Sequence, residues 1–79
     1  MENIVCFNNQ FDKRAAEYLA DYLKCPTIDN SIPYDYRNIK NVYCVGGGAF
    51  TSYCTKLIQG ADRYATCQAV LDFIANGGK

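Results

Sequence analysis

Residues 41–66 read NVYCVGGGAFTSYCTKLIQGADRYAT. The order is that of a parallel α/β unit. An apolar, β-branched and aromatic run, Asn41 to Val45, leads into three glycines, and a second short run, Lys56 to Gln59, closes on Gly60 just ahead of a helix-forming segment. In an open parallel sheet, ligands bind outside the carboxyl ends of the strands. The residues that follow the two runs, Gly46, Gly47, Gly48 and then Asp62, Arg63, Tyr64 and Thr66, are therefore the candidate binding residues.

The glycine turn matches none of the common phosphate or nucleotide devices. A P-loop needs Lys followed by Ser or Thr after its last glycine, and Gly48 is followed by Ala49-Phe50-Thr51. A dinucleotide fingerprint needs a third small residue where Thr51 stands, and an acidic residue about twenty positions on. A phospho-acceptor receiver wants a carboxylate where Gly46 stands. What remains is a tight turn that lets backbone approach a neighbour closely, with or without a ligand there.

In the segment GADRYAT, Asp62 has the chemistry of a helix N-cap accepting from the N–H of Tyr64 or Ala65, and Gly60 permits the bend before it. Arg63 and Thr66 are not explained by capping. A guanidinium beside a helix N-terminus and a glycine turn forms a donor-rich corner suited to sugar hydroxyls, carboxylates or phosphates. Tyr64 either offers a ring face or hydroxyl to a sugar or packs.

Outward from this core, Ile4-Val5-Cys6-Phe7 reads as a strand covered on both faces, ended by Asn8-Asn9. Phe11 to Lys24 is rich in helix formers, has Asp12 near its start, and stops before Cys25-Pro26. Phe11, Ala15, Ala16, Tyr18, Leu19, Tyr22 and Leu23 spread over an arc wider than one core-facing stripe needs. The surplus aromatics, Phe11, Tyr18 and Tyr22, either snorkel at the core edge or form a subunit interface. Thr27-Ile28 forms a short strand, and Asp29-Asn30-Ser31 is turn chemistry. From Ile32 to Lys40, Pro33 predicts the first turn of a short helix running through Asp35, Arg37 and Ile39. Ala49 to Thr55 reads as a turn or a single helical turn. The last helix runs from Asp62 to about Ala75, with Cys67, Val70, Leu71 and Ile74 on its core face and Asn76-Gly77 as its stop. Phe73, about 100° from Ile74, joins the surplus aromatics as a fourth interface candidate. The expected architecture is one α/β domain over residues 1–79, a small three-layer sandwich with a mostly parallel sheet of about four strands and helices on both faces.

Composition removes several classes of function. The chain has no histidine, which excludes a Ser-His-Asp triad, histidine general-base catalysis and histidine metal ligation within it. Eight basic and eight acidic side chains cancel, so the electrostatic footprint of a nucleic-acid binder is missing. Five cysteines at positions 6, 25, 44, 54 and 67 show no Cys-x-x-Cys and no zinc spacing, and their apolar neighbours favour buried free thiols suited to a reducing compartment. No metal, cofactor or membrane contact is expected. Glu2 and Asn3 follow Met1 directly, and Ile4–Phe7 is too short for a signal-peptide core or a membrane span, so the expectation is synthesis in the cytoplasm without a leader.

With its two motifs, VYCVGGG and GADRYAT, the chain resembles the cell wall-binding repeat type 2 family of clostridial surface proteins. The second motif, Gly60-Ala61-Asp62-Arg63-Tyr64-Ala65-Thr66, matches the family pattern Gly-x-Asp-Arg-Tyr-x-Thr at every position. The resemblance implies non-covalent anchoring to a secondary polymer or the peptidoglycan of a clostridial wall. Family members usually occur as three tandem copies behind a signal peptide. A single, short-looped, leaderless copy looks instead like the C-terminal targeting domain of a clostridial bacteriophage endolysin, made in the host cytoplasm and acting at the wall after release. That form implies a catalytic hydrolase domain upstream, no catalytic residues here, and self-association, most simply as a dimer, in place of tandem packing. The competing readings are a dimerisation module that organises a lytic domain, and a small α/β nucleotide-binding or enzyme fragment relying on Asp62, Arg63 and a cysteine such as Cys54.

Overall fold

A computed structural model describes residues 2–78. Its elements, in chain order, are β1 (Asn3–Phe7), α1 (Gln10–Leu23), β2 (Thr27–Asp29), β3 (Asn41–Val45), β4 (Lys56–Ile58) and α2 (Arg63–Ala75). All strand pairs are parallel, in the order β2-β1-β3-β4, with Cys6 opposite Cys44 and Phe7 opposite Val45. The small α/β fold with a four-stranded parallel sheet is the one the sequence predicts.

Because side chains alternate across a strand, the continuous apolar runs of β1 and β3 feed two separate cores. Val5, Phe7, Val45 and Ile58 pack on one side with Ala15, Ala16, Leu19 and Ala20 of α1 and Val70 and Phe73 of α2. Ile4, Cys6, Val42 and Cys44 pack on the other with Tyr36, and Ile28, Ile39, Phe50 and Cys54 close over them. Both helices therefore lie side by side on one face. The expected helix on the opposite face is replaced by two irregular segments, residues 30–40 and 46–55. Right-handed crossovers account for this: the chain moves one way along the sheet from β1 to β2, and the other way from β2 to β3 to β4, so the second pair of connections falls on the far side.

The segment expected to be a short helix after Pro33 is held instead by local polar turns. The Asp35 carboxylate accepts from the backbone N–H of Arg37 at 3.0 Å and from its guanidinium at 2.9 Å, which competes with helical pairing. Tyr36 then turns inward, and its hydroxyl lies 3.4 Å from Cys6 Sγ. Burial, followed by this contact, pushes the Tyr36 phenol up, and bonding to Cys6 together with burial pushes the Cys44 thiol up. All five cysteines are free, Cys6 and Cys44 fully buried and the other three half-buried.

Two positions of α2 differ from the periodicity. Phe73, expected as surplus surface, is 8% exposed and meets Tyr43 edge-to-face at 6.0 Å between ring centroids. Leu71, expected in the core, is exposed. α2 buries Thr66, Val70 and Phe73, the i, i+4, i+7 stripe, because it must pack against α1 and the sheet at once. Phe11, Tyr18 and Tyr22 of α1 do lie exposed, while its four buried small and branched residues let the helices approach. No helix among the described residues is long and apolar enough to cross a membrane.

Candidate functional site

Strand order reverses direction between β1 and β3, and the crevice at the carboxyl end of that pair is the natural ligand position in an open parallel sheet. Asn8 and Asn9 follow β1, the glycines follow β3, and Gly60 to Asp62 follow β4, so the loops after three of the four strands meet at this edge.

The glycine turn is a built feature. Gly46 and Gly48 have φ of +101° and +97°, in the region that side-chain-bearing residues avoid. A Cβ on Gly46 would stand 2.2 Å from Asp12 Oδ2, and one on Gly48 would stand 2.6 Å from Asn8 Nδ2. Gly47 faces open space. Asn8 Nδ2 donates to Gly47 O at 3.1 Å and Ala49 O at 3.0 Å, and Asn30 Nδ2 donates to Asn8 Oδ1 at 2.9 Å and to Ala49 O at 3.1 Å. These two asparagines pin the turn to the ends of β1 and β2.

Asp62 caps α2 as its sequence predicts, Oδ1 accepting from Ala65 N at 2.8 Å. The Thr66 hydroxyl accepts from Gly60 N at 3.0 Å, and Thr66 is buried, so this residue braces the bend before the helix. Asp62→Ala is expected to lower stability by about 1 kcal/mol through the lost cap, measured as a shift in urea midpoint at constant slope.

Arg63 lies over the Phe11 ring at 4.9 Å and the Tyr64 ring at 5.1 Å, and Nη2 donates to Tyr64 Oη at 3.2 Å. The cation thereby ties together two rings that are 68% and 72% exposed. Between them and the glycine turn is an open cleft of about 430 Å³, lined by Gly47, Asp62, Arg63, Tyr64 and Thr66, together with Asn9, Phe11, Asp12, Gly60 and Ala61. A second groove of about 470 Å³ continues from it along α1 past Arg14 and Tyr18 to Cys67.

Of the predicted binding residues, five line the cleft, Gly46 lies buried beneath it against Asp12, and Gly48 turns toward Asn8. Phe11, expected at an interface, is exposed and also lines the cleft. Asp12 and Asn9 are cleft residues that motif reading does not find. Asp12 is 5% exposed, its Oδ2 accepts from Asn9 Nδ2 at 2.9 Å, and its own N–H donates to Asn9 Oδ1 at 3.0 Å. The signal for both was their place immediately after the β1 run, at the same sheet edge as the glycines.

No family model and no curated protein sequence matches the chain, so the likeness to the cell wall-binding repeat type 2 family rests on its two motifs. Solved structures do match. A crystal structure of the CTP1L endolysin, described as revealing how that enzyme's activity is regulated by a secondary translation product, is 60% identical with a TM-score of 0.93, over 96% of this chain and 99% of that one. A mutant of the CTP1L C-terminal domain with reduced autoproteolysis is 59% identical, also at a TM-score of 0.93, over 96% of this chain and 98% of that one. At that identity over nearly the whole length of both chains, the protein belongs to the family of the C-terminal domain of the CTP1L clostridial phage endolysin.

Proposed function

We propose that this chain is the non-catalytic wall-targeting module of a phage endolysin, holding a clostridial wall polymer in the cleft between the N-termini of α1 and α2 while a separate lytic domain cuts the wall. The observation that carries the reading is the cleft itself: two solvent-exposed rings bridged by Arg63 beside a hydrogen-bonded glycine turn, at the switch point of the sheet. A surface ring is ordinarily released to move, and holding two in place beside polar groups is how a protein prepares a contact with an amphipathic ligand. The kinship with an endolysin domain supports a wall partner. On this reading the protein is made in the host cytoplasm and acts at the wall after release. The test is a fluorescent fusion of this domain applied to whole cells. It decorates clostridial walls and leaves unrelated Gram-positive walls dark, and equal staining of both, or of neither, contradicts the proposal.

The second part of the proposal is self-association through α1. Tyr18 and Tyr22, 45% and 42% exposed, place two large rings on one helix surface that the described residues cover only in part, and a domain of this size gains stability from a second copy. A two-fold pair also doubles the wall sites per particle. Sedimentation at micromolar concentration is expected to give a dimer mass that Tyr18→Glu shifts toward a monomer with the fold retained. A monomer for the unmodified domain contradicts this part. The staining experiment is what separates wall targeting from the alternative of a pure dimerisation module, which would assemble without staining walls.

A further inference from the structure

The sequence suggests a donor-rich corner equally suited to phosphates, carboxylates and sugar hydroxyls, and the geometry is different. Both helix N-termini that face the cleft carry a carboxylate of this chain: Asp62 on Ala65 N–H at the start of α2, and Asp12 in the first turn of α1. An incoming anion would therefore be set against two carboxylates at the very positions where helix ends favour negative charge. Among the described residues the one cation lining the cleft, Arg63, is stacked on Phe11 and Tyr64, and Gly60 N–H is already used by Thr66.

What the cleft does offer is an acceptor. Asp12 is more than nine-tenths buried, yet among the described residues only its Oδ2 has a donor, from Asn9. Among the described residues no side-chain oxygen or nitrogen sealed from solvent lacks a partner, so Asp12 Oδ1, for which they supply no donor, keeps contact with solvent, and Asp12 is one of the residues that line the cleft. A buried carboxylate oxygen open on one side calls for a hydroxyl or ammonium donor. The exposed rings of Phe11 and Tyr64 at the mouth suit the apolar face of a sugar ring.

We propose, resting on the wall-targeting reading above, that the cleft selects a sugar presenting hydroxyl or free amino donors to Asp12, stacked against Phe11 and Tyr64, and disfavours the phosphate- or carboxylate-bearing units of anionic wall polymers.

The test titrates three probes into the isotopically labelled domain: a trimer of N-acetylglucosamine, the same trimer without its acetyl groups, and a glycerol phosphate oligomer. Both sugars are expected to shift the amide signals of Phe11, Asp12 and Tyr64. The amino form is expected to bind about tenfold tighter, a preference that Asp12→Asn removes, since hydrogen bonds to a charged partner are the strong ones. Tyr64→Ala, at an exposed position, weakens both sugars whatever the fate of Asp12→Asn. The glycerol phosphate oligomer is expected to leave the cleft signals unmoved. Cleft shifts with glycerol phosphate, weakened by added salt, overturn the ligand class while leaving wall targeting intact. Failure of all three probes on a domain that still binds whole walls overturns it too. Failure to bind whole walls overturns the underlying reading with it.

Discussion

Gly46→Ala is expected to destabilise the domain by about 3 kcal/mol or more, a large share of the total stability of a domain of this size. Two costs act together. The backbone at +101° is strained for any residue with a Cβ, and the added methyl would lie 2.2 Å from the carboxylate of buried Asp12. Asp12 has little freedom to retreat, because Asn9 holds it on one side and α1 carries it on the other. Gly47→Ala is the internal control: nothing lies within 4 Å of where its methyl would stand, and its φ is not in the positive region, so its effect is expected to stay within about 0.5 kcal/mol. Chemical denaturation of the two variants measures the contrast. Equal stability of both would mean that the turn is not pinned between Asn8, Asn30 and Asp12.

Phe73→Ala is the second large effect, expected at about 3–5 kcal/mol for an aromatic side chain removed from a packed core. Phe73 is in the core beside Val70, meets the Tyr43 ring at 6.0 Å, and lies under the Lys56 ammonium at 5.8 Å. Helical periodicity alone sets it beside Ile74 as surface left over for an interface, and on that placement its loss would lower oligomer mass while sparing the fold. Burial reverses the order: thermal stability collapses first, and any change in mass follows from unfolding. Tyr18→Glu on α1 is the substitution that separates assembly from folding.

The places where sequence and structure part share a physical cause. Strands β1, β3 and β4, helix α1 and the Asp62 cap were legible because local signals agree with tertiary demand there: apolar runs for a sheet covered on both faces, and a carboxylate ahead of a helix. The segment after Pro33 was not, since Asp35 and Arg37 satisfy the backbone within two residues and free Tyr36 to plug the second core. The stripe on α2 was misplaced by about one position. A helix wedged between a sheet and a neighbouring helix buries the face that serves both, and nothing local to residues 63–75 announces α1 alongside. The site shows the same pattern. GADRYAT and the glycines mark the sheet edge, but the placement of Asp12 and Phe11 in the cleft arises only when α1 is laid against α2, and the donors that suggested an anion site are used by Asp62 and Thr66 of the same motif.

That Phe11, Arg63 and Tyr64 form a wall-binding surface is tested most directly by co-sedimentation of the purified domain with purified clostridial walls, comparing the unmodified chain with Arg63→Ala and with a Phe11→Ala, Tyr64→Ala pair. All three positions are exposed, so the melting temperatures are expected to stay close to one another. The paired variant is expected to lose wall affinity by about tenfold or more, as removal of central aromatic anchors does, and Arg63→Ala a smaller share, because the rings remain but are no longer tied. Folded variants that sediment with the walls as fully as the unmodified domain would contradict that role.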